Sequence, residues 1–185
     1  NGGIGKGIAL GLAGSGTSIV VAARNPQKNA QAVKEIEALG VKVKAIQVDV
    51  TSEEEVDSLI AESIDTFGRI DILINNAGTN VRKRPEEYSV EEWDFILNTN
   101  LRSAFLCSKA VYSHMKKVGG GKIINIGSLF SIFGGDLVSV YSASKGGIIQ
   151  FTRSLGVAWA PDNIQVNAIL PGWIKTDLTA PMPRL

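Results

Sequence analysis

Three side chains in the stretch 122–147, KIINIGSLFSIFGGDLVSVYSASKGG, have the right types to move a proton: Ser128, Tyr141 and Lys145. Tyr141 and Lys145 are four residues apart, which on a helix places them on one face. A phenol with its ordinary pKa of about 10 is a poor proton donor or acceptor near neutrality, and a cation held beside it favours the phenolate. A tyrosine so placed becomes a general acid and base. Ser128 closes an apolar run, at the carboxyl end of an expected strand, where its hydroxyl can point at the oxygen that Tyr141 would protonate.

The same pattern occurs again at Tyr112 and Lys116, and Thr99 stands 13 residues before Tyr112 as Ser128 does before Tyr141. Residues 99–112 read as continuous helix, which at a 1.5 Å rise holds those two hydroxyls about 20 Å apart. A strand end and a loop join Ser128 to Tyr141, so these can converge. Tyr112 therefore reads as a structural tyrosine.

With 185 residues, 44% of them apolar and 20% charged, the chain has the composition of a single globular domain spanning 1–185. A formal charge of +1 provides no field for nucleic acid or an acidic membrane. The single cysteine, Cys107, excludes an internal disulfide and fits packing in a reducing, cytoplasmic setting. One histidine, His114, excludes a Ser-His-Asp triad and, with one cysteine, a zinc site of Cys and His ligands. His114 is expected at a surface or interface.

The elements that position these groups alternate between strand and helix. Gly3-Ile4-Gly5 opens a helix with Ile4, Ile8 and Leu12 on one side; its glycines would let the backbone approach a phosphate at the helix amino terminus. Residues 18–23 form a strand, after which Arg24, Asn25 and Pro26 lead into a helix. No acid precedes Glu35, and Arg24 stands where the 2′-phosphate of NADP would need a cation, so NADP(H) is favoured and NAD(H) stays open. The strand 43–48 ends at Asp49-Val50, where the carboxylate could meet an adenine amine or simply solvate a helix start. Thr51 and Ser52 are alternative caps for the next helix. Residues 70–74 form a strand and Asn75-Asn76-Ala77-Gly78 the turn after it, a flat surface for a ring or ribose, or an ordinary Asx turn. Ser89 and Glu92 form a capping box opening a long helical region to about Val118, interrupted at Asn98-Thr99-Asn100 by poor helix formers. The helix of Tyr141 runs to about Trp159, and the strand 162–170 ends in Pro171-Gly172. This alternation implies a doubly wound parallel α/β sheet, Rossmann-like.

Gly3-x-Gly5, Asn75-Asn76-Ala77-Gly78, Asn100, Ser128, Tyr141-x-x-x-Lys145 and Pro171-Gly172 with Thr176, in this order, resemble the short-chain dehydrogenase/reductase family over residues 1 to about 179. The resemblance implies that Ser128, Tyr141 and Lys145 are catalytic and that Asn100 completes a proton relay through water. It implies that Lys145 also binds the nicotinamide ribose, that Ile174 and Thr176 hold the carboxamide, and that the protein forms dimers or tetramers through helices 89–118 and 139–159. Within the family, AGTNVRKRPEEYSVEEWD is similar to reductases of sugar acids and polyols, with Arg82 able to meet a carboxylate; 3-oxoacyl carrier-protein reductases and sugar dehydrogenases share most of these motifs. The family's Thr-Gly and its first strand would precede Asn1, and its last strand would follow Leu185. That first strand lies between strands 18–23 and 70–74, so its absence is expected to leave two strand edges unpaired, and the 185-residue chain alone is expected to fold poorly, with little activity.

Overall fold

The computed structural model describes residues 2–176 and residue 179. Helices α1 (Gly3–Gly14), α2 (Pro26–Glu37), α3 (Glu53–Phe67), α4 (Val90–Leu97), α5 (Ser103–Lys117) and α6 (Ser139–Trp159) alternate with strands β1 (Ile19–Ala22), β2 (Val43–Ile46), β3 (Ile72–Asn75), β4 (Gly121–Ile126) and β5 (Ile164–Ile169). They fall into two compact units, one of Asn1–Asp49 with Trp173–Leu185, the other of Val50–Gly172.

In the first unit β1 pairs with β2 in parallel, from Ile19 opposite Val43 to Ala22 opposite Ile46. Ala13 of α1, Ile19 and Val21 of β1, and Ala32 and Ile36 of α2 make its core. The turn from β1 into α2 is built by asparagines. Asn25 caps the helix by accepting the Lys28 N–H at 2.8 Å, and Asn29 donates to the Ala23 carbonyl at 2.9 Å, which fixes Arg24 between two anchored residues.

In the second unit the strand order is β3-β4-β5, all parallel, with Asn75 opposite Asn125 and Asn125 opposite Ala168. Parallel strands need crossover connections, which α4 with α5, and then α6, provide. The core gathers Ile60 of α3, Val111 and Met115 of α5, Ile123 of β4, and Ile164 and Val166 of β5. Ser52, rather than Thr51, caps α3 by accepting the Glu55 N–H, three glutamates follow in the first turn, and Gly68 ends the helix in the left-handed region at φ 77°. The expected capping box is present at α4: Ser89 accepts the Glu92 N–H at 3.2 Å and Glu92 accepts the Ser89 N–H at 3.1 Å.

Asn75 belongs to β3 rather than to the turn after it. An asparagine is admitted to this half-buried strand because both its amide hydrogens are engaged, donating to Asn125 Oδ1 at 2.8 Å and to Ser108 Oγ at 3.1 Å; Asn125 in turn donates to Thr152 Oγ1 at 2.9 Å. The long helical region is also not one helix. Asn98–Arg102 forms a π-turn between α4 and α5, at the residues whose side chains compete with the helix backbone. Among the described residues no strand pairs with the second edge of β1 or of β3, in accord with the family strand expected to be missing from this chain.

Candidate active site

Strand β4 delivers the chain to Ser128, whose extended backbone (φ −163°, ψ 164°) leads into one short 3-10 turn, Leu129–Ser131. The Ser128 hydroxyl accepts the Phe130 N–H at 3.2 Å, and the Leu129 N–H is held by the Pro171 carbonyl at 3.2 Å. Pro171 and Gly172, at the end of β5, therefore flank the serine loop. From the opposite side α6 presents Tyr141, with the Phe130 ring set edge-on to it at 6.3 Å between centroids. The Ser128 side chain lies close enough to the Tyr141 phenol to pull on its pKa.

Lys145, one turn further on, is 4% exposed. Its ammonium donates to the Ile126 carbonyl at 2.7 Å and lies 5.8 Å from the Tyr141 ring centroid. Burial pushes its pKa down to about 8. Burial also raises the Tyr141 pKa above its ordinary value, offset in part by the Ser128 hydroxyl. The expected lowering of the phenol's pKa by Lys145 is not seen: burial sets the direction, and the ammonium is aimed at a backbone carbonyl.

Asn100 sits in the π-turn, 2% exposed. Its Oδ1 accepts the Thr79 N–H at 2.7 Å, and its Nδ2 donates to the Thr79 carbonyl at 2.9 Å and to Ser144 Oγ at 2.9 Å. Ser144 passes the connection on by donating to the Tyr141 carbonyl at 2.7 Å. The side chain of Asn100 is thus occupied in tying the loop after β3 to the helix of Tyr141. A Cβ built on Gly78 would lie 3.5 Å from both Asn100 Oδ1 and Lys145 Nζ, so Asn76, Ala77 and Gly78 lead directly past the lysine. Val50, also in this unit, is half-buried ahead of α3.

The remaining expected nucleotide residues belong to the first unit. Helix α1 begins at Gly3 with no side-chain cap and no acid in its first turn, so its free N–H groups and positive dipole end suit a pyrophosphate. Gly3 has φ +50°, and a Cβ there would approach Thr176 Cγ2 to 3.2 Å. Ile4 and Gly5 continue the helix. The segment of Ile174 and Thr176 is folded by Thr179, which donates to the Ile174 carbonyl at 2.7 Å and accepts the Thr176 N–H at 2.9 Å. Arg24 lies 3.9 Å from the Asp49 carboxylate with 65% of its side chain exposed. An exposed guanidinium after β1 fits an added phosphate; Asp49 partly neutralises it.

Tyr112 is elsewhere. It donates to the Asp162 carboxylate at 2.6 Å, stacks on Trp159 at 4.7 Å, and shares Asp162 with Lys116 at 3.1 Å. That is a latch between α5 and the start of β5. His114 is half-buried rather than superficial, its Nε2 accepting the Ile70 N–H at 3.2 Å. In the loop after β3, Lys83 pairs with Glu92 at 2.6 Å and Arg84 with Glu86 at 3.0 Å, so the basic run carries its own counter-charges; Arg82 is exposed. Among the described residues no cluster of His, Cys, Asp and Glu could hold a metal ion. No helix among them is long and apolar enough to cross a membrane.

Thr79, Ser131 and Ser144 were not singled out from sequence. Ser144 could have been, since it lies between Tyr141 and Lys145 on the same helix; Thr79 and Ser131 act through contacts that no local spacing reveals.

A family profile described as short chain dehydrogenase matches residues 1–184. The chain is 40% identical over 178 residues to the 2-dehydro-3-deoxy-D-gluconate 5-dehydrogenase of Escherichia coli K12, covering 96% of this chain and 70% of that protein. It is 41% identical over 178 residues to a 3-oxoacyl-[acyl-carrier-protein] reductase of Synechocystis, covering 96% and 72%. Among solved structures, NAD+-bound xylitol dehydrogenase superposes with a TM-score of 0.90 at 35% identity, covering 92% of this chain and 66% of that one.

Proposed function

The chain belongs to the short-chain dehydrogenase family of oxidoreductases, and from that premise we propose that it transfers hydride between NADP(H) and a carbonyl or secondary alcohol, with Ser128, Tyr141 and Lys145 as its catalytic residues. The observation that carries this reading is the meeting of the serine loop and α6, with Phe130 edge-on to Tyr141 and the buried Lys145 ammonium 5.8 Å from the Tyr141 ring centroid. Gly3, Ile4 and Gly5 would hold the pyrophosphate, Arg24 and Asn25 the adenosine phosphate, and Asp49 and Val50 the adenine. Asn76, Ala77, Gly78, Tyr141 and Lys145 would hold the nicotinamide ribose, and Pro171, Gly172, Ile174 and Thr176 the carboxamide. When bound, the nicotinamide supplies or accepts the hydride.

The chain's own groups handle the oxygen and its proton. Ser128 donates to the substrate oxygen and orients it; Tyr141 delivers a proton to that oxygen during reduction or removes one during oxidation. A phenol whose pKa is raised is protonated at neutral pH, the form required for reduction. Lys145, with a pKa of about 8, can exchange a proton near neutrality, and Asn100 would complete the relay through water. Tyr141→Phe is expected to abolish turnover, followed by NADPH absorbance, while nucleotide binding is kept. Loss of binding with residual turnover would assign the tyrosine a structural role.

The substrate we favour is a polyhydroxylated acid, supported by the similarity to a deoxygluconate dehydrogenase and by exposed Arg82 in the loop after β3. The second reading, an acyl thioester, is supported by the carrier-protein reductase at 41% identity. A panel assay in which acyl thioesters equal or exceed hydroxy acids would select the second. NAD(H) use is the alternative to NADP(H), supported by the NAD+-bound relative; Arg24→Asp should weaken NADPH binding and leave NADH binding unchanged or improved. An apolar groove of about 440 Å³ lined by Leu97, Leu101, Phe105, Gly147 and Phe151 supports self-association through α5 and α6 as a dimer or tetramer. The single buried cysteine supports a reducing, cytoplasmic location.

A further inference from the structure

Ser131 lies three residues beyond the serine of the proposed reaction, and its hydroxyl bonds to backbone groups rather than to the phenol or the ammonium. Its hydroxyl nevertheless joins the two elements that carry the chemistry. Ser131 Oγ accepts the Ser128 N–H at 3.1 Å and donates to the Lys145 carbonyl at 2.8 Å. The hydroxyl therefore uses one acceptor lone pair and its only proton on the two elements at once. The Lys145 carbonyl, with two lone pairs, can take this bond in addition to the one from its own helix. Space around the hydroxyl is limited, since a Cβ on Gly127 would come within 3.1 Å of it. The Ser131 N–H is also bound, to the Ser128 carbonyl at 2.9 Å, so the residue is held from both sides.

This bridge is the only direct side-chain connection among the described hydrogen bonds between the serine loop's backbone and the turn of α6 that carries Lys145. Without it, the serine loop would meet α6 through the Lys145 bond to the Ile126 carbonyl at the end of β4 and the edge-on contact of Phe130 with Tyr141, neither of which grips the Ser128 backbone itself. We infer that Ser131 is a positioning residue: its hydroxyl clamps the backbone of Ser128 to the Lys145 carbonyl and so holds the serine and tyrosine hydroxyls at a fixed separation while both engage the substrate oxygen.

The inference rests on the roles proposed above for Ser128 and Tyr141, and its test separates the two. In the full-length protein, Ser131→Ala removes both bonds, whereas Ser131→Thr keeps a hydroxyl. The expected result is a fall in kcat of about tenfold for Ser131→Ala, with KM for nucleotide unchanged, and recovery to within about threefold of wild type for Ser131→Thr. A second readout needs no turnover: 13C-tyrosine NMR resolves the titration of Tyr141 from Tyr88 and Tyr112. Because Ser128 is the group that pulls the Tyr141 pKa down, a loosened serine should let the Tyr141 titration move to higher pH in Ser131→Ala and return in Ser131→Thr. A Tyr141 titration unmoved in Ser131→Ala, or Ser131→Thr as impaired as Ser131→Ala, overturns the inference. If instead Ser128→Ala and Tyr141→Phe both turn over normally, the proposed reaction fails, whatever Ser131 does to the titration.

Discussion

Lys145 is a charge that the fold keeps at a cost, and replacing it should stabilise the protein while removing its activity. The displacement of its pKa from 10.5 to about 8 corresponds to roughly 3 kcal/mol of unfavourable burial at neutral pH, at about 1.4 kcal/mol per tenfold. Lys145→Met keeps the length of the side chain and removes the charge, but it leaves the Ile126 carbonyl without its donor, which returns about 1–2 kcal/mol. The net expectation is a gain of about 1–2 kcal/mol at pH 7, measured by urea unfolding, with hydride transfer lost. The pH dependence gives a sharper test. Between about 8 and 10.5 the folded lysine has lost its proton while the unfolded one retains it, so unfolding takes up a proton and wild-type stability rises with pH across that window. Lys145→Met lacks this contribution. The advantage of the variant should therefore shrink as pH rises and reverse by pH 10.5, where only the lost hydrogen bond remains. A stability difference between the two proteins that stays constant from pH 7 to 10.5 would refute the argument, because it would mean that the lysine is not desolvated in the folded state.

Three further outcomes follow from the same geometry. Alcohol oxidation should accelerate with pH into the alkaline range, since it requires phenolate and burial raises the Tyr141 pKa, whereas carbonyl reduction should be level around neutrality; kcat profiles in both directions check this. Tyr112→Phe should cost about 1–2 kcal/mol through the lost bond to the Asp162 carboxylate and leave kcat unchanged, which urea unfolding and a single assay would establish. Asn125→Leu should cost about 2–4 kcal/mol by leaving the Asn75 amide and the Thr152 hydroxyl without their shared partner, read as a lower urea midpoint at an unchanged slope.

Much of this molecule is local and was legible before any coordinates. Short apolar runs locate the strands, Ser89 with Glu92 marks the start of α4, and Asn98–Asn100 marks the break that becomes a π-turn. Each is a property of a few neighbouring residues, where side-chain chemistry and backbone preference decide the outcome together. The identity of Ser128, Tyr141 and Lys145 as a set is also a matter of type and spacing. Their electrostatics are not, because a pKa depends on how much water the assembled elements exclude. Proximity alone suggested that Lys145 would lower the Tyr141 pKa, while burial raises it and lowers that of the lysine. Likewise Asn75 looks like a turn residue in sequence and becomes a strand residue because Asn125 and Ser108, 50 and 33 residues away, satisfy its amide. Residue types and their order are enough to say which groups exist and on which element each rides. The pairing of Asn75, Asn100 and Asn125 is a product of packing, since the partners of their side chains lie 21 to 50 residues away and become neighbours only once sheet and helices have assembled.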